Sequence, residues 1–296
     1  ALRHLGADIE YLEEEGFPPL HIKGSELKGG ELELSGNVSS QYISALLMIG
    51  PALKNGLKLK LTGDIISRPY IDLTLCTMRE FGAKVEWSDI DTVSVEPQPY
   101  CQRDYLIESD WSASSYWYEM MALCNDKEAE INLPGLMDAS RQGDSAARYL
   151  FSLLGVKSKF STTSRELPAT ITLKRRGRPV PRLDYDFINQ PDLAQTFVVC
   201  CALMEIPFRF TGLHSLKIKE TDRMKALKTE MRKLGYVIKT EDDCIMSWDG
   251  ERCEPDSEIA IDTYEDHRMA MAFAPAAFKL PYILINDPHV VSKSYP

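Results

Sequence analysis

Lys219-Glu220-Thr221-Asp222-Arg223 is a run of five polar residues placed where an apolar, strand-like stretch, Phe208 to Leu213, passes into the helical pattern MKALKTEMRKLG. Lys219 and Arg223 stand beside free backbone N–H groups at the positive end of a helix, which is where phosphate and carboxylate bind. The plain alternative is a capped helix start, with Thr221 or Asp222 as N-cap and Arg223 paired to a nearby acid. Asp192 follows Pro191 and opens the apolar helix LAQTFVVCCALM. It is either an N-cap or a base sheltered from water, and the direction of its pKa is open because helix dipole and desolvation oppose each other. His267-Arg268 opens a third apolar segment, HRMAMAFAPAAF. Arg268 either pairs with Glu265 or Asp266 or forks an anion, and His267 is a proton carrier or a hydrogen-bonded structural imidazole. Ser39-Ser40-Gln41 precedes ISALLMIGPAL, as a cap or as a neutral phosphate cradle of hydroxyls and an amide. A carboxylate that can act as a base and cations that can hold an anion are what these residue types could supply. No His/Cys/Asp cluster has metal-ligand spacing.

The elements that must position these residues recur along the chain. RHLGADIEYL, MREFGAKVEW, FSLLGVKSKF and MRKLGYVIKT each end a helix on an apolar-Gly pair and continue extended, with glycines at Gly6, Gly82, Gly155 and Gly235. Glycine suits a helix stop in the left-handed region. Out of phase with these run four segments, beginning at Ser39, Trp111, Gln190 and Glu265, that turn apolar nearly all round and predict buried helices. MKALKTEMRKLG, with Met224, Leu227, Met231 and Leu234 at helical spacing, predicts an amphipathic outer helix. ELELSG, LKLKLTG, AEINLPG, ATITLKR and PFRFTG alternate as strands do. One unit therefore reads strand, buried helix, strand, outer helix, two strands. The chain begins inside an outer helix and stops soon after YILIND, so it is expected to be a fragment of a longer array.

With 296 residues, 44% hydrophobic and 26% charged, the chain has the composition of a globular protein of about two domains. Its net charge of -10 and the lack of a basic tract argue against a sequence-independent grip on nucleic acid or anionic membrane. Seven cysteines (76, 101, 124, 200, 201, 244 and 253) without C-x-x-C spacing read as reduced, mostly buried thiols, and no signal or membrane-spanning segment is present, so a cytoplasmic location is expected.

At KIKETDR, TYEDHRMAMAF, GNVSSQYISALLM, SRPYIDLTL and NQPDLAQT the sequence resembles the EPSP synthases, the 3-phosphoshikimate 1-carboxyvinyltransferases, over essentially its whole length. The resemblance implies an α/β enolpyruvyl transferase fold, an inside-out α/β barrel of repeated βαβαββ units in two domains. Residues 1–108 would be the partial shikimate-3-phosphate side, and 109–296 the phosphoenolpyruvate side with the catalytic base. The boundary is set at IESDWSAS. The implied reaction moves the enolpyruvyl group of phosphoenolpyruvate to the 5-hydroxyl of shikimate 3-phosphate and releases phosphate, in a monomer without cofactor. Asp192 is implied as the base, Glu220 as the group exchanging a proton at the enolpyruvyl carbon, and Lys219 as a contact to the shikimate side. Arg223, Arg268 and Lys293 would hold phosphoenolpyruvate, with His267 beside them; Lys293 on its own is simply an exposed tail lysine. Ser39, Ser40, Gln41 and Ser67 would grip the 3-phosphate, and Tyr70 stacks on the ring or packs. Ser215 stands where many members have Asn, a shorter donor to a ligand hydroxyl. The UDP-N-acetylglucosamine enolpyruvyl transferases share the fold but lack the KETDR and DHRMAM pairing. The family's Lys-Ser-x-x-x-Arg loop, its Asn-x-Gly segment and an Arg at the head of the first outer helix are absent from these 296 residues. The chain alone is therefore expected to release no phosphate from the two substrates, and turnover in a phosphate-release assay would refute that.

Overall fold

Strict alternation along Leu57–Thr62, with Leu57, Leu59 and Leu61 buried and Lys58 and Lys60 exposed, makes this segment a strand with one face on a core. The same logic builds the rest. In a computed structural model that describes residues 1–165 and 167–295, the chain divides into two compact units, Ala1–Leu106 and Ile107–Pro296.

Unit 1 opens with a hairpin of β1 (Asp8–Tyr11) and β2 (Leu20–Lys23). It continues through β3 (Gly30–Ser35), α1 (Ser40–Ile49), β4 (Leu57–Thr62), α2 (Arg68–Glu80), β5 (Val85–Asp89) and β6 (Thr92–Val95), and its four-stranded sheet has the order β3-β4-β6-β5. Unit 2 runs α3 (Trp111–Leu123), β7 (Ile131–Leu136), α4 (Ala146–Leu153), β8 (Val156–Phe160) and β9 (Ala169–Arg175) around the sheet β7-β9-β8. There follow β10 (Leu183–Asp186), α5 (Ala194–Leu203), β11 (Phe208–Thr211), α6 (Arg223–Lys233), β12 (Lys239–Glu241) and β13 (Ile245–Trp248) in the sheet β10-β11-β13-β12. Last come β14 (Ala260–Ile261), α7 (His267–Phe273) and β15 (Leu284–Ile285). The second four-stranded sheet repeats the connection order of the first, as the sequence period requires.

All four helix-stop glycines adopt positive φ: Gly6 109°, Gly82 88°, Gly155 93° and Gly235 87°. Gly155 has a second reason, since a Cβ there would lie 2.7 Å from the Gly177 carbonyl oxygen. Of the four helices expected to be buried, α5 is buried at every residue and α3 and α7 at nearly all. α1 differs. Ile43, Leu46 and Leu47 are buried, but Tyr42 is 68% and Met48 50% exposed. Unit 1 has only α2 to set beside α1 among its described residues, so the far side of that helix has nothing to pack on. The cysteines also depart from expectation: Cys200 and Cys201 are buried, Cys101 is exposed and the other four are half-buried, because they lie outside the all-apolar helix interior. All seven are free thiols.

The core of unit 2 is a helix layer of α3, α5 and α7 with an aromatic chain packed against it: Phe151 lies tilted against Phe197 (4.5 Å), which meets Phe187 (5.7 Å), which meets Phe210 edge-on (5.0 Å). Within this layer Glu119 of α3 is fully buried, neither carboxylate oxygen has a hydrogen-bond partner, and burial pushes its pKa far up. A carboxyl whose folded pKa lies above its unfolded one contributes stability that is complete below the unfolded value and drains away as pH rises. Glu119→Gln is expected to raise Tm at pH 8 and to leave it unchanged near pH 4, each kcal/mol relieved being worth about 2–4 °C. A pH-independent effect in thermal scans would contradict the assignment.

Candidate functional site

Parallel pairing sets the geometry. β10 and β11 lie parallel, Leu183 opposite Phe208 and Asp186 opposite Thr211, so the chain leaves both strands at the same end. From β10 it enters the Pro191–Leu193 turn and α5, and from β11 the His214–Ile218 turn and α6. β14 and β15 are likewise parallel and lead into α7 and the Pro288–Lys293 turn. Each candidate of unit 2 sits in one of these four exits: Asp192, then Ser215 through Arg223, then His267-Arg268, then Lys293. The space beyond the carboxyl ends of parallel strands is where ligands of open α/β sheets bind.

The side chains converge. Asp192 Oδ1 lies 3.2 Å from Lys219 Nζ and 3.0 Å from Arg223 Nη1, and its Oδ2 lies 3.3 Å from Arg268 Nη2. Arg223 Nη2 also donates to Glu220 Oε2 at 2.7 Å, and Glu220 Oε1 accepts from Lys293. Arg223, only 1% exposed, is gripped from behind by fully buried Asp266, with Nε 2.7 Å from Oδ2 and Nη2 3.3 Å from Oδ1. Oδ1 of Asp266 also caps α7 by accepting from the Arg268 N–H at 2.9 Å. The Arg268 guanidinium pairs with neither Glu265 nor Asp266; it donates to Asp192 and, at 3.4 Å, to the Tyr116 hydroxyl of α3.

Electrostatics answer the question left open for Asp192. Burial would raise its pKa, but Arg268, Lys219 and Arg223 together outweigh burial and hold the carboxyl well below its usual range. For Glu220 burial is again outweighed, chiefly by the Lys293 hydrogen bond, giving a pKa of about 2. The His267 pKa is lowered, first by burial and then by Arg268, so the imidazole is neutral at pH 7, and its Nδ1 has no hydrogen-bond partner. Burial lifts the Tyr116 hydroxyl to about 12 against the pull of Arg268.

Asp222, not Thr221, caps α6, accepting from the Lys225 N–H at 3.1 Å. Ser215 is buried in the turn ahead of it. In unit 1, Ser39 caps α1 by accepting from the Gln41 N–H at 3.3 Å, with Ser40 the first helical residue. Ser67 precedes α2 with φ 54° and is buried, and Tyr70 lies in the first turn of that helix. β3 and β4 are parallel, so these two helix starts also share one end of their sheet. Gly36 ties the two exits, donating to Thr62 O at 2.7 Å and accepting from Ile66 N–H at 3.2 Å. A Cβ on Gly36 would lie 2.9 Å from Asp64 O. Asp266 and Tyr116 join the cluster through Arg223 and Arg268 without having been among the expected site residues. Asp266 carried a signal, an N-cap position beside the flagged pair, whereas Tyr116 is one apolar-helix residue among many. Among the described residues no group of His, Cys, Asp and Glu could hold a metal ion, and no helix is long and apolar enough to cross a membrane.

The family model described as EPSP synthase (3-phosphoshikimate 1-carboxyvinyltransferase) matches residues 1–296. A 3-phosphoshikimate 1-carboxyvinyltransferase of Bacteroides fragilis is 60% identical over 296 residues, covering 100% of this chain and 70% of its relative. One from Aliivibrio fischeri is 36% identical, with 100% and 67% covered. Among solved structures, EPSP synthase from Acinetobacter baumannii superposes with a TM-score of 0.73 at 20% identity, over 99% of this chain and 66% of that one. The enolpyruvyl transferase NikO of Streptomyces tendae superposes with a TM-score of 0.66 at 13% identity, with the same coverage. These likenesses give the enolpyruvyl transferase fold.

Removing Arg223 would leave Asp266 as an uncompensated buried charge. Arg223→Met is expected to cost about 3–5 kcal/mol of stability, with part of it restored in Arg223→Met/Asp266→Asn, which removes the charge and keeps the oxygen that caps α7. Urea unfolding followed by tryptophan fluorescence measures both, and a double variant no more stable than the single one would show that the pair is not what the loss reports.

Proposed function

The chain belongs to the EPSP synthase family, and from that premise we propose that it serves transfer of the enolpyruvyl group from phosphoenolpyruvate to the 5-hydroxyl of shikimate 3-phosphate. Unit 2 takes the phosphoenolpyruvate part and unit 1 the phosphate of the acceptor. The observation that carries this reading is the meeting of Lys219, Arg223, Arg268 and Lys293 on the two carboxylates Asp192 and Glu220. Four cations around a small volume suit a ligand with both a carboxylate and a phosphate, and planar guanidinium forks fit such groups better than lysines do.

The parts divide by chemistry. Asp192 accepts the proton of the attacking hydroxyl, with Lys219 beside it to steady the developing charge. Glu220 exchanges the proton at the methylene carbon. Arg223, Arg268 and Lys293 neutralise carboxylate and phosphate and stabilise charge on the departing phosphate. Neutral His267 adds no charge to the anion subsite. Ser39, Ser40, Gln41 and Ser67 hold the 3-phosphate through hydroxyls, an amide and helix N–H groups. Tyr70 lies against the ring, and Ser215 donates to an acceptor hydroxyl. A monomer working in the cytoplasm without metal or organic cofactor belongs to the same reading. The sibling activity on a UDP sugar is not favoured, because 60% identity joins the chain to a 3-phosphoshikimate 1-carboxyvinyltransferase.

Thermal unfolding with single ligands tests the assignment. Shikimate 3-phosphate and phosphoenolpyruvate are each expected to raise Tm, protection reaching about 2.7 kcal/mol at a hundredfold excess over Kd. UDP-N-acetylglucosamine is expected to leave Tm unchanged; protection by it and not by shikimate 3-phosphate would move the chain to the sibling activity.

A further inference from the structure

Arg223 has a problem of occupancy, and the inference from it rests on the reading just proposed. A guanidinium offers five N–H donors. Four of those of Arg223 are committed, to Asp266 through Nε and Nη2, to Asp192 through Nη1 and to Glu220 through Nη2, and the fifth, on Nη1, is enclosed with the rest of the group. At 1% exposure the group has no open edge toward solvent. An anion can therefore reach Arg223 only by replacing one of its carboxylates.

The three carboxylates are not equally replaceable. Asp266 is fully buried, contacts Arg223 through both oxygens and caps α7, so moving it would break a helix start as well. Asp192 and Glu220 keep 24% and 29% of their side chains exposed and sit on turns rather than in the helix layer. They are also the partners that occupy the other cations. Lys219 and Arg268 hold Asp192, and Lys293 holds Glu220. Tyr116 and His267 complete the surroundings as neutral groups, and the Asp144 carboxylate acts on Arg268 electrostatically.

We propose that a dianion enters this site by exchange: it takes Arg223, Arg268, Lys219 and Lys293 away from Asp192 and Glu220, while Asp266 stays as the positioning residue that keeps Arg223 in place. Two carboxylates then stand in for the ligand when it is absent. On exchange they lose their cations just as the anion arrives, so their affinity for a proton rises with binding. The base becomes basic because the substrate is there, and remains masked otherwise.

Sulfate is the probe, a dianion that carries no proton of its own near pH 5. Calorimetric titration of the whole chain in two buffers of different ionisation enthalpy is expected to show net proton uptake on sulfate binding. Uptake is expected to shrink in Asp192→Asn, which should also bind sulfate about fivefold more tightly or better, as for other couplings between two sites. Asp266→Asn is expected to bind sulfate more weakly. That opposite sign separates exchange from through-space charge, under which neutralising either aspartate would tighten binding. A crystal structure with sulfate should place Asp192 beyond ion-pair distance of Arg268 with Arg223 still on Asp266. Sulfate bound without proton uptake and with the Asp192 pairs intact, or both variants binding more tightly, overturns the exchange and leaves the anion site standing. If neither sulfate nor phosphoenolpyruvate binds, the anion site itself falls. Should Asp192→Asn fail to fold, the wild-type proton uptake and crystal structure decide.

Discussion

The pairing of Arg223 with Asp266 is the constraint on which the candidate site depends. Both groups lie out of water, at 1% and 0% exposure, and each would be costly to bury alone. Joined through two N–H···O contacts they satisfy each other, and the pair spans two helix starts, the first residue of α6 and the cap of α7. Such an arrangement fixes a guanidinium in direction as well as in place. Everything in front of it, Asp192, Glu220 and through them Lys219, Arg268 and Lys293, is arranged around that fixed fork.

The fold delivers these groups together through a local rule. A strand running parallel to its neighbour sends its chain out at the same end, and a helix that returns over the sheet begins there. Two such pairs in unit 2, β10 with β11 and β14 with β15, supply four exits, and the chemically versatile residues occupy them. The apolar remainder of each helix does a separate job: Phe187, Phe197 and Phe210 lock β10, α5 and β11 into one block, so the turn carrying Asp192 has little freedom. Site and core are thus consecutive parts of the same segments.

This is also why so much was legible in the sequence and where legibility stopped. A helix stop needing positive φ leaves a glycine, and four of them gave the period. An outer helix leaves an apolar stripe, and Met224, Leu227, Met231 and Leu234 are all buried as the stripe demanded. The polar heads of the apolar helices marked the site because polar residues at such places need partners. Partner identity was not legible. Asp266 was read only as a possible partner of Arg268; it caps α7, and both its oxygens serve Arg223, 43 residues earlier. For Arg268 the sequence offered an adjacent acid or an anion, and its guanidinium reaches the Asp192 carboxylate, 76 residues earlier. Such choices are made by tertiary placement, and no local pattern encodes them. α1 shows the complementary failure: its composition matches α5, yet Tyr42 and Met48 remain exposed, because burial depends on a neighbouring surface as well as on the helix's own apolarity.

A pocket meant to hold a small dianion among several cations faces a difficulty whenever it is empty. Cations gathered out of water repel one another and are poorly solvated, so a binding site built only of them would be strained in its free state. Carboxylates remove the strain, and this site has three in direct contact with its four cations. In the proposed anion site their presence would weaken ligand binding, since each would have to be displaced or accommodated. A design using buried carboxylates throughout would make the pocket stable and useless; one using exposed ones throughout would leave Arg223 unfixed. Dividing the roles, with Asp266 permanent and Asp192 and Glu220 at the solvent edge, meets both demands. Under the proposed exchange it also gives the stand-in duty to the two groups proposed for proton transfer, which is a physical reason for carboxylates and cations to share contacts here instead of occupying separate corners of the pocket.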